Sequence, residues 1–442
     1  MSRLVAWLED YILPIASRLG QVRWLVALRN AFVSIMPITI AGSLAVLIKS
    51  LIQAARDHLG WETFAFAMQP LVAISDIVWR GTFSLFALFL ALALGYQLSK
   101  TFEVNRLAGS IVSLASFMMS VANYMKLKMN GDNVIVKNDF DISQFSSTGI
   151  FTAILFCSIG VGIYVLCVKA RISLHMMANM PHAEQAAFDS LIPGIISIFS
   201  VGAINYVFQL STGLYFGSWL LKTIQIPLVN LGQGFGVVLL VTLLVQVFWF
   251  FGINGLSILS PIMDSIWLTA QNVNITAAQN GQVPKYLWVK GSFEVFAWIG
   301  GAGGTLMLIV AILLFSKRSD YRTIAKVALA PGIFNINEPI VFGLPVVLNP
   351  VYFIPFVTAP LVNVAFSYWI TKMGLVNPVQ VAVPSIMPPL IGPYLACNYD
   401  WRAIILSVVN MLIGLAIWAP FVFAADKIAD VNNPKTFFNT QY

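Results

Sequence analysis

The 442-residue chain is 59% hydrophobic and only 10% charged, whereas soluble domains carry about 25% charged residues. A soluble protein of this composition would expose large apolar patches, so the composition predicts a polytopic membrane protein in a lipid bilayer. The formal net charge of +7 does not indicate nucleic-acid binding, because the basic residues cluster at the ends of apolar spans. The three cysteines form no CxxC pair, so no disulfide framework, metal site or cofactor is expected.

Residues 1–30 predict an amphipathic surface helix. Two later segments, about 331–349 and 374–398, are apolar but punctuated by Gly and Pro, which favours re-entrant hairpins or broken helices. Residues 211–230 and 252–296 mix short apolar runs with Gly, Asn and Gln, and their boundaries stay open. The predicted fold class is all-α. Long apolar segments, each close to the roughly 20 residues that cross a bilayer, occur near 31–51, 81–98, 107–125, 148–168, 191–210, 232–251, 297–315, 351–370 and 402–425.

Basic loops predict the orientation, since cytoplasmic loops carry an excess of Lys and Arg. The loops that hold Lys100, Lys169 and Lys317 are expected on the cytoplasmic side, together with the N-terminus, and the charge-balanced loop 126–147 outside. The first half has long regular spans, whereas the second half holds the broken segments and the isolated polar groups. We therefore expect a membrane scaffold over 1–225 and a substrate-handling half over 226–442.

Glu338 is the strongest candidate for a functional residue. It is the only charged residue between Lys326 and Lys372, and Gly, Pro and Asn surround it. A carboxylate in a membrane-like segment is costly unless it faces a cavity, a partner or a ligand. Irregular backbone at this depth is tolerated only where protein or water satisfies it. Both arguments predict a transport site, with a loop carboxylate at the membrane surface as the alternative.

Asn335 and Asn337 add amides beside Glu338, and carboxylate and amide groups are what sugar hydroxyls need; alternatively, the amides only satisfy broken backbone. Trp249 offers a flat face to a pyranose ring, or else anchors the chain at the membrane interface. Asn254 lies near two glycines that allow close approach of a ligand. Lys290 lies four residues before Glu294, and a helical ion pair competes with a ligand role there.

The stretch Pro331–Pro350 (PGIFNINEPIVFGLPVVLNP) resembles the signature of enzyme IIC (EIIC) of the bacterial phosphoenolpyruvate-dependent sugar phosphotransferase system, in its lactose/cellobiose/diacetylchitobiose family. Other stretches resemble the family in the same order and extend the likeness over nearly the whole chain: Leu13–Ala16, Met36–Thr39, Leu191–Gly194, Phe248–Gly252, Ile262–Asp264, Gly300–Thr305 and Asp400–Ala403.

The resemblance implies a homodimer with about ten transmembrane helices per subunit, in the bacterial plasma membrane. The first half would dimerise, and the second would hold the sugar between two re-entrant hairpins. The substrate would be a β-linked disaccharide of cellobiose or diacetylchitobiose type. A separate EIIB, phosphorylated by EIIA, would phosphorylate the sugar's 6-hydroxyl beside Glu338. The chain itself would be the permease subunit of this phosphotransferase, since the phosphoryl donor residue belongs to EIIB.

Two positions depart from the family pattern. Asn254 stands where family members usually have His, and Ser385 stands where they often have Trp. Asn exchanges only neutral hydrogen bonds, whereas His can also carry a proton. The residues alone, without the family resemblance, leave two further function classes open. These are an ion-coupled secondary sugar transporter, in which Glu338 carries a proton or cation, and a sugar sensor that transports nothing.

Overall fold

The computed structural model describes residues 22–129, 132–137, 140–172, 182–344 and 346–432. Helices dominate this part of the chain. Its one sheet is an antiparallel hairpin of β1 (Tyr124–Met129) and β2 (Asp132–Lys137). The hairpin occupies the predicted external loop 126–147, so the all-α prediction needs this small correction. The sequence of β1 alternates apolar residues with Lys126 and Lys128, and β2 contains a Val-Ile-Val run. Both patterns favour a strand, which explains the difference.

Eight α-helices lie between Arg23 and Thr212 in the described part of the chain. Asn105 caps the sixth of them by accepting hydrogen bonds from two backbone N–H groups of its first turn, as N-cap residues do. Gly60 ends the second with a left-handed φ of 67°. The helices are α1 (Arg23–Ser34), α2 (Met36–Leu59), α3 (Glu62–Ala67), α4 (Gln69–Gly81), α5 (Phe86–Thr101), α6 (Arg106–Ser120), α7 (Ile150–Lys169) and α8 (His182–Thr212).

The second part of the chain is more fragmented. Three π-helical turns interrupt it, at Leu221–Gln225, Asp264–Leu268 and Phe293–Ala297. Its α-helices are α9 (Phe216–Leu220), α10 (Ile226–Gly232), α11 (Phe235–Phe250), α12 (Gly255–Met263), α13 (Thr269–Gln279), α14 (Lys290–Ser292), α15 (Thr305–Phe315), α16 (Ser319–Ile333), α17 (Glu338–Gly343), α18 (Pro350–Lys372), α19 (Ile391–Ala396) and α20 (Arg402–Asn432).

Seven helical stretches of the described residues are long and apolar enough to cross a membrane. A further pair, Phe216–Gly232 and Phe235–Phe250, is bent by 77° and would make an eighth span if it crosses as one unit. The protein is therefore a multi-pass helical membrane protein. The seven stretches are Arg23–Gln53, Gln69–Thr101, Ile150–Lys169, Phe188–Thr212, Lys290–Phe315, Pro350–Lys372 and Arg402–Asp426.

The predicted spans coincide with helices in most places, and the differences have local causes. Helix α15 begins at Thr305 rather than near 297, because the glycines before it adopt non-helical angles. Helices α3 and α4 were not predicted, since Gln69, Asp76 and Arg80 interrupt the apolar pattern there. Residues 1–21 of the predicted N-terminal surface helix lie outside the described part of the chain.

The buried side chains form two separate hydrophobic clusters. One draws nearly all of its residues from the first part of the chain, with Phe86 and Leu90 among its most buried members. The other lies almost wholly beyond Val229 and contains Trp267, Trp288 and Trp418, which are fully buried. The chain thus packs around two cores, and the fragmented helices surround the second.

Candidate functional site

A cavity lined by both apolar and charged side chains lies within the second core and reaches the first helices. Its smaller compartment, of about 250 Å³, also touches Met263, Trp298, Gly301, Asn335 and Ile386. Its larger compartment, of about 380 Å³, extends to helix α1 and includes residues such as Arg29, Phe32, Asn254 and Ser257. Six residues line both compartments and so form their boundary: Leu256, Ser260, Asp264, Lys290, Glu294 and Ser385.

Three charged residues on this boundary form what we call the charged centre: Asp264, Lys290 and Glu294. Lys290 Nζ lies 2.6 Å from Asp264 Oδ1, and the two side chains are 30% and 5% exposed. Such an ion pair offsets the cost of removing both charges from water, which is several kcal/mol per ion. Glu294 is half-buried and forms no hydrogen bond or ion pair within the described residues. The centre therefore holds one paired and one unpaired carboxylate.

Helix α13 fixes the chain that carries Lys290. Gln271 Oε1 accepts a hydrogen bond of 2.6 Å from the N–H of Gly291. Asn274 is fully buried, accepts from the N–H of Tyr286, and donates to the carbonyls of Tyr286 and Val379. These amides replace the backbone partners that irregular segments lack. They hold the segment before Lys290 against the segment that leads to Ser385.

A glycine loop, residues 300–304, forms one wall beside the smaller compartment. Gln246 Oε1 accepts from the N–H of Gly303, and Thr305 Oγ1 donates to the carbonyl of Gly300. A side chain at Gly300 would approach the backbone of Leu306 to 2.3 Å, so only glycine fits. Four glycines here have positive φ angles: Gly300 (81°), Gly301 (91°), Gly303 (79°) and Gly304 (61°).

Asn335 joins three segments at the cavity wall. Its Oδ1 accepts from the N–H of Gly300 at 2.8 Å. Its Nδ2 donates to the carbonyls of Ser385 and Met387 at 2.7 and 3.1 Å. Both amide hydrogens are therefore engaged by backbone, and the side chain can offer a ligand only one remaining acceptor position. Asn335 lines the cavity, but its hydrogen bonds fit the alternative in which the amide only satisfies broken backbone.

Asn337 and Trp249 are buried outside the cavity lining. Asn337 is 3% exposed and donates from Nδ2 to the carbonyl of Ala302. Trp249 is 5% exposed and belongs to the second hydrophobic cluster. Neither side chain lines the two compartments. In this conformation Trp249 presents its ring neither to the cavity nor to the membrane interface.

Asn254 and Lys290 both line the larger compartment. Asn254 is exposed, and its Oδ1 accepts from the N–H of Ser257 at 2.9 Å as the N-cap of α12. Its Nδ2 makes no hydrogen bond within the described residues, so it can donate to a ligand. The partner of Lys290 is Asp264 and not the predicted Glu294. The i,i+4 pairing fails because Lys290 begins a single α-turn that continues as a π-turn.

Glu338 is exposed and begins helix α17, which follows the turn that contains Asn335. Its carboxylate has no hydrogen-bond or ion-pair partner in the described part of the chain. It does not line either compartment, although Asn335, three residues earlier, does. The structure thus brings together Asn335, Asn254 and Lys290, and leaves Glu338, Asn337 and Trp249 beside the cavity.

Sequence reasoning did not single out Asp264, Trp298 or Glu294 as ligand-facing residues. A signal was present: only four charged residues occur between Lys222 and Lys317, and three of them form the charged centre. The same cost argument that selected Glu338 applies to them. Because the helix boundaries within 252–296 could not be predicted, the sequence did not show that these charges lie among buried helices.

Comparison with known proteins identifies the family. The family model described as "Phosphotransferase system, EIIC" matches residues 29–360. The chain belongs to this EIIC family. It is 37% identical to the cellobiose-specific EIIC component of Lactococcus lactis subsp. lactis (strain IL1403), over 97% of this chain and 99% of that one. It is 32% identical to the oligo-beta-mannoside-specific EIIC component of Bacillus subtilis (strain 168), over 95% and 94%.

A solved structure agrees with this assignment. The EIIC chain superposes on the crystal structure of the transporter ChbC, the IIC component of the N,N'-diacetylchitobiose-specific phosphotransferase system, with a TM-score of 0.88. The two are 30% identical, and the match covers 97% of this chain and 99% of that one. Fold and family are therefore established together, and the resemblance that Pro331–Pro350 carries is confirmed.

Proposed function

We propose that this EIIC is the permease subunit that moves a β-linked disaccharide of cellobiose or diacetylchitobiose type across the bacterial plasma membrane. A separate EIIB, phosphorylated through EIIA, then phosphorylates the 6-hydroxyl of the sugar. The observation that carries the proposal is a cavity with a charged centre inside a membrane-spanning EIIC fold. The names of two relatives, one cellobiose-specific and one diacetylchitobiose-specific, support the substrate class.

The cavity supplies the chemistry that a neutral sugar needs. Lys290 and the free amide hydrogens of Asn254 donate hydrogen bonds, and Glu294 accepts them. Trp298 lines the smaller compartment and offers apolar surface to a pyranose ring. The two compartments meet at Ser385, so a two-ring ligand would place one ring on either side of the charged centre. Trp298 takes the aromatic role that Trp249, buried elsewhere, does not fill in this conformation.

Glu338 is proposed to accept a hydrogen bond from the hydroxyl that receives the phosphoryl group. In that step the S–P bond to the EIIB cysteine breaks as the O–P bond to the sugar forms. The cysteine leaves as a thiolate, and the hydroxyl proton passes to the Glu338 carboxylate and from there to solvent. The short hairpin of α16 and α17 supports the role, because it already places Asn335 at the cavity. Since Glu338 lies outside the lining, the proposal requires this hairpin, with Asn337, to approach the sugar.

The wider architecture is also part of the proposal: a homodimer with about ten transmembrane helices, two re-entrant hairpins and a cytoplasmic N-terminus. Short α17 and α19, each flanked by irregular chain, support the hairpins. The two separate hydrophobic clusters support a scaffold and dimerisation half over 1–225 and a substrate half over 226–442. The basic residues near Lys100, Lys169 and Lys317 support the orientation.

Uptake into membrane vesicles tests the function. We expect cellobiose or diacetylchitobiose to accumulate as the 6-phosphate when phosphorylated EIIB is supplied, and not with unphosphorylated EIIB. A protonophore should leave this uptake unchanged. Uptake that does not depend on EIIB but is abolished by the protonophore would identify an ion-coupled transporter instead. Sugar binding without uptake would identify a sensor.

Glu338→Gln tests the proposed role of that carboxylate. Removing a charge-assisted hydrogen bond costs about 1.5–3 kcal/mol, so sugar affinity should fall about ten- to a hundred-fold. The matched control is Glu62→Gln, because Glu62 is also exposed and also begins a six-residue helix, α3. Equilibrium binding of cellobiose to both variants gives the answer. Equal affinity of the two folded variants would remove Glu338 from the sugar site.

A further inference from the structure

The unpaired carboxylate of the charged centre has a use beyond sugar binding. Asp264 and Lys290 form an ion pair at 2.6 Å, so the centre carries a net charge of −1 when Glu294 is ionised. Among the described residues, these three are the only charged ones that line the smaller compartment. Arg29, the fourth charged residue of the cavity, lines only the larger compartment. A ligand group in the smaller compartment therefore faces negative charge.

We propose that Glu294 distinguishes the neutral sugar from its phosphorylated product, binding the first and rejecting the second. The inference rests on the proposed function, because it takes the neutral disaccharide as substrate and its 6-phosphate as product. Glu294 can accept a hydrogen bond from a sugar hydroxyl, since it forms none with the described protein residues. A phosphate monoester carries a charge of about −1.5 to −2 near neutral pH and meets repulsion at the same place.

The position of Glu294 favours this role over a purely structural one. A structural carboxylate in a membrane protein is paired or hydrogen-bonded, as Asp264 is. Glu294 lies instead on the boundary of both compartments and lines the smaller one together with Asn335 and Ser385. The hairpin that carries Glu338 approaches on this side through Asn335. Phosphorylation at the Glu338 end would thus place the new charge in the compartment that lacks Arg29.

Repulsion in such a site is large enough to matter. Two unit charges about 8 Å apart at an effective dielectric of about 20 change an affinity by more than tenfold. Salt screens a partly buried pair less than an exposed one. The same group therefore strengthens binding before phosphoryl transfer and weakens it afterwards. Release of the product toward the cytoplasm follows without any further binding partner.

The test is equilibrium binding of cellobiose and cellobiose 6-phosphate to purified EIIC at about pH 8, where the phosphate monoester carries its full charge of about −2. Wild-type protein should bind the neutral sugar at least tenfold more tightly. Glu294→Gln should bind the neutral sugar about ten- to a hundred-fold more weakly and the phosphate no more weakly, so their ratio falls by tenfold or more. The control variant Glu62→Gln changes an exposed glutamate that lines neither compartment, so it should keep the wild-type ratio.

The outcomes separate the two proposals. Equal wild-type affinity for the two sugars would overturn the role of Glu294 whatever its variants do, as would an unchanged ratio in a folded Glu294→Gln protein. Absence of any neutral-sugar binding to the wild type would instead overturn the proposed function. Glu294→Asp keeps the charge on a shorter side chain and should retain the preference for the neutral sugar. A merely structural glutamate would lower both affinities together and leave the ratio constant.

Discussion

The two halves of this EIIC use small and polar residues for opposite purposes. In the first half, glycines and serines let helices approach: a side chain at Gly109 would overlap the Ser99 hydroxyl, and one at Gly160 the Ser116 hydroxyl. In the second half, buried amides such as Gln246 and Asn274 bind backbone that is not helical. The first arrangement builds regular helix packing. The second builds a cavity wall, because it stabilises irregular chain at membrane depth.

The variant Gly300→Ala should disrupt the irregular chain of the cavity wall and should lower stability more than the other variants. The new methyl group would meet the backbone of Leu306 at 2.3 Å, and φ is 81°. Left-handed strain and overpacking together predict a loss of about 2–5 kcal/mol in the free energy of unfolding. The midpoint of thermal unfolding in detergent measures it.

Gly162→Ala is the matched control in the first half. Gly162 lies inside helix α7, and a methyl group there would meet no atom within 4 Å. The higher helix propensity of alanine should leave stability unchanged or raise it by up to about 1 kcal/mol. Similar losses in both variants would mean that the glycine loop is no more demanding than an ordinary helix.

The regular half was also the more predictable one. Apolar runs of about 20 residues predicted helices such as α7 and α8 because length and hydropathy decide a membrane span. The predictions for 331–349 and 374–398 gave the right character, broken apolar chain, but not its geometry. Positive φ at the glycine loop and the π-turn after Ser292 depend on long-range partners, which local patterns do not reveal.

The site was predicted in part for the same reason. Both Glu338 and Lys290 were predicted as site residues; Lys290 lines the cavity, whereas Glu338 lies outside its lining. The partner of Lys290 was not predicted, because its pairing with Asp264 joins residues 26 positions apart, with a π-turn and helix α13 between them. Asn335 was chosen for sugar chemistry, yet its amide hydrogens bond to backbone. Sequence shows which groups are costly to bury, and only the fold shows what satisfies them.

Asn274→Ala should give the next largest effect. It removes three hydrogen bonds and leaves an N–H and two carbonyls without their partner in a buried site. At about 1–3 kcal/mol for each unsatisfied group, partly relieved by relaxation, we expect a loss of about 2–4 kcal/mol. Because Asn274 also holds the segment before Lys290, cellobiose affinity should fall as well.

Asn205→Ala is the counterpart in the first half. Asn205 is half-buried in helix α8, and its Nδ2 donates to the carbonyl of Val201, which the helix already uses. Its loss should cost less than about 1 kcal/mol and leave sugar binding intact. The measurements are the midpoint of thermal unfolding and the cellobiose affinity of Asn274→Ala and Asn205→Ala. Equal losses in the two variants would contradict the distinct use of amides in the second half.

The smallest expected effect is a pH dependence at the loop before α20. Burial alone would raise the pKa of Asp400, but hydrogen bonds from the Arg402 side chain and from the backbone N–H groups of Asn377 and Arg402 outweigh it. The pKa in the folded protein therefore lies below the ordinary value of about 3.9. A depressed pKa stabilises the fold above that value, and the stabilisation is lost as the pH falls through the folded pKa.

The variant Asp400→Asn tests whether the charge of Asp400 stabilises the last irregular segment of the second half. The wild type should lose thermal stability below about pH 4, partly through Asp400, whereas the variant should be less stable at pH 7 and lose less on acidification. The difference between the two unfolding midpoints should therefore narrow from pH 7 to about pH 3. Because Arg402 is 43% exposed and solvent screens the pair, the narrowing should be modest. A constant difference across this range would show that Asp400 holds the loop through its shape rather than its charge.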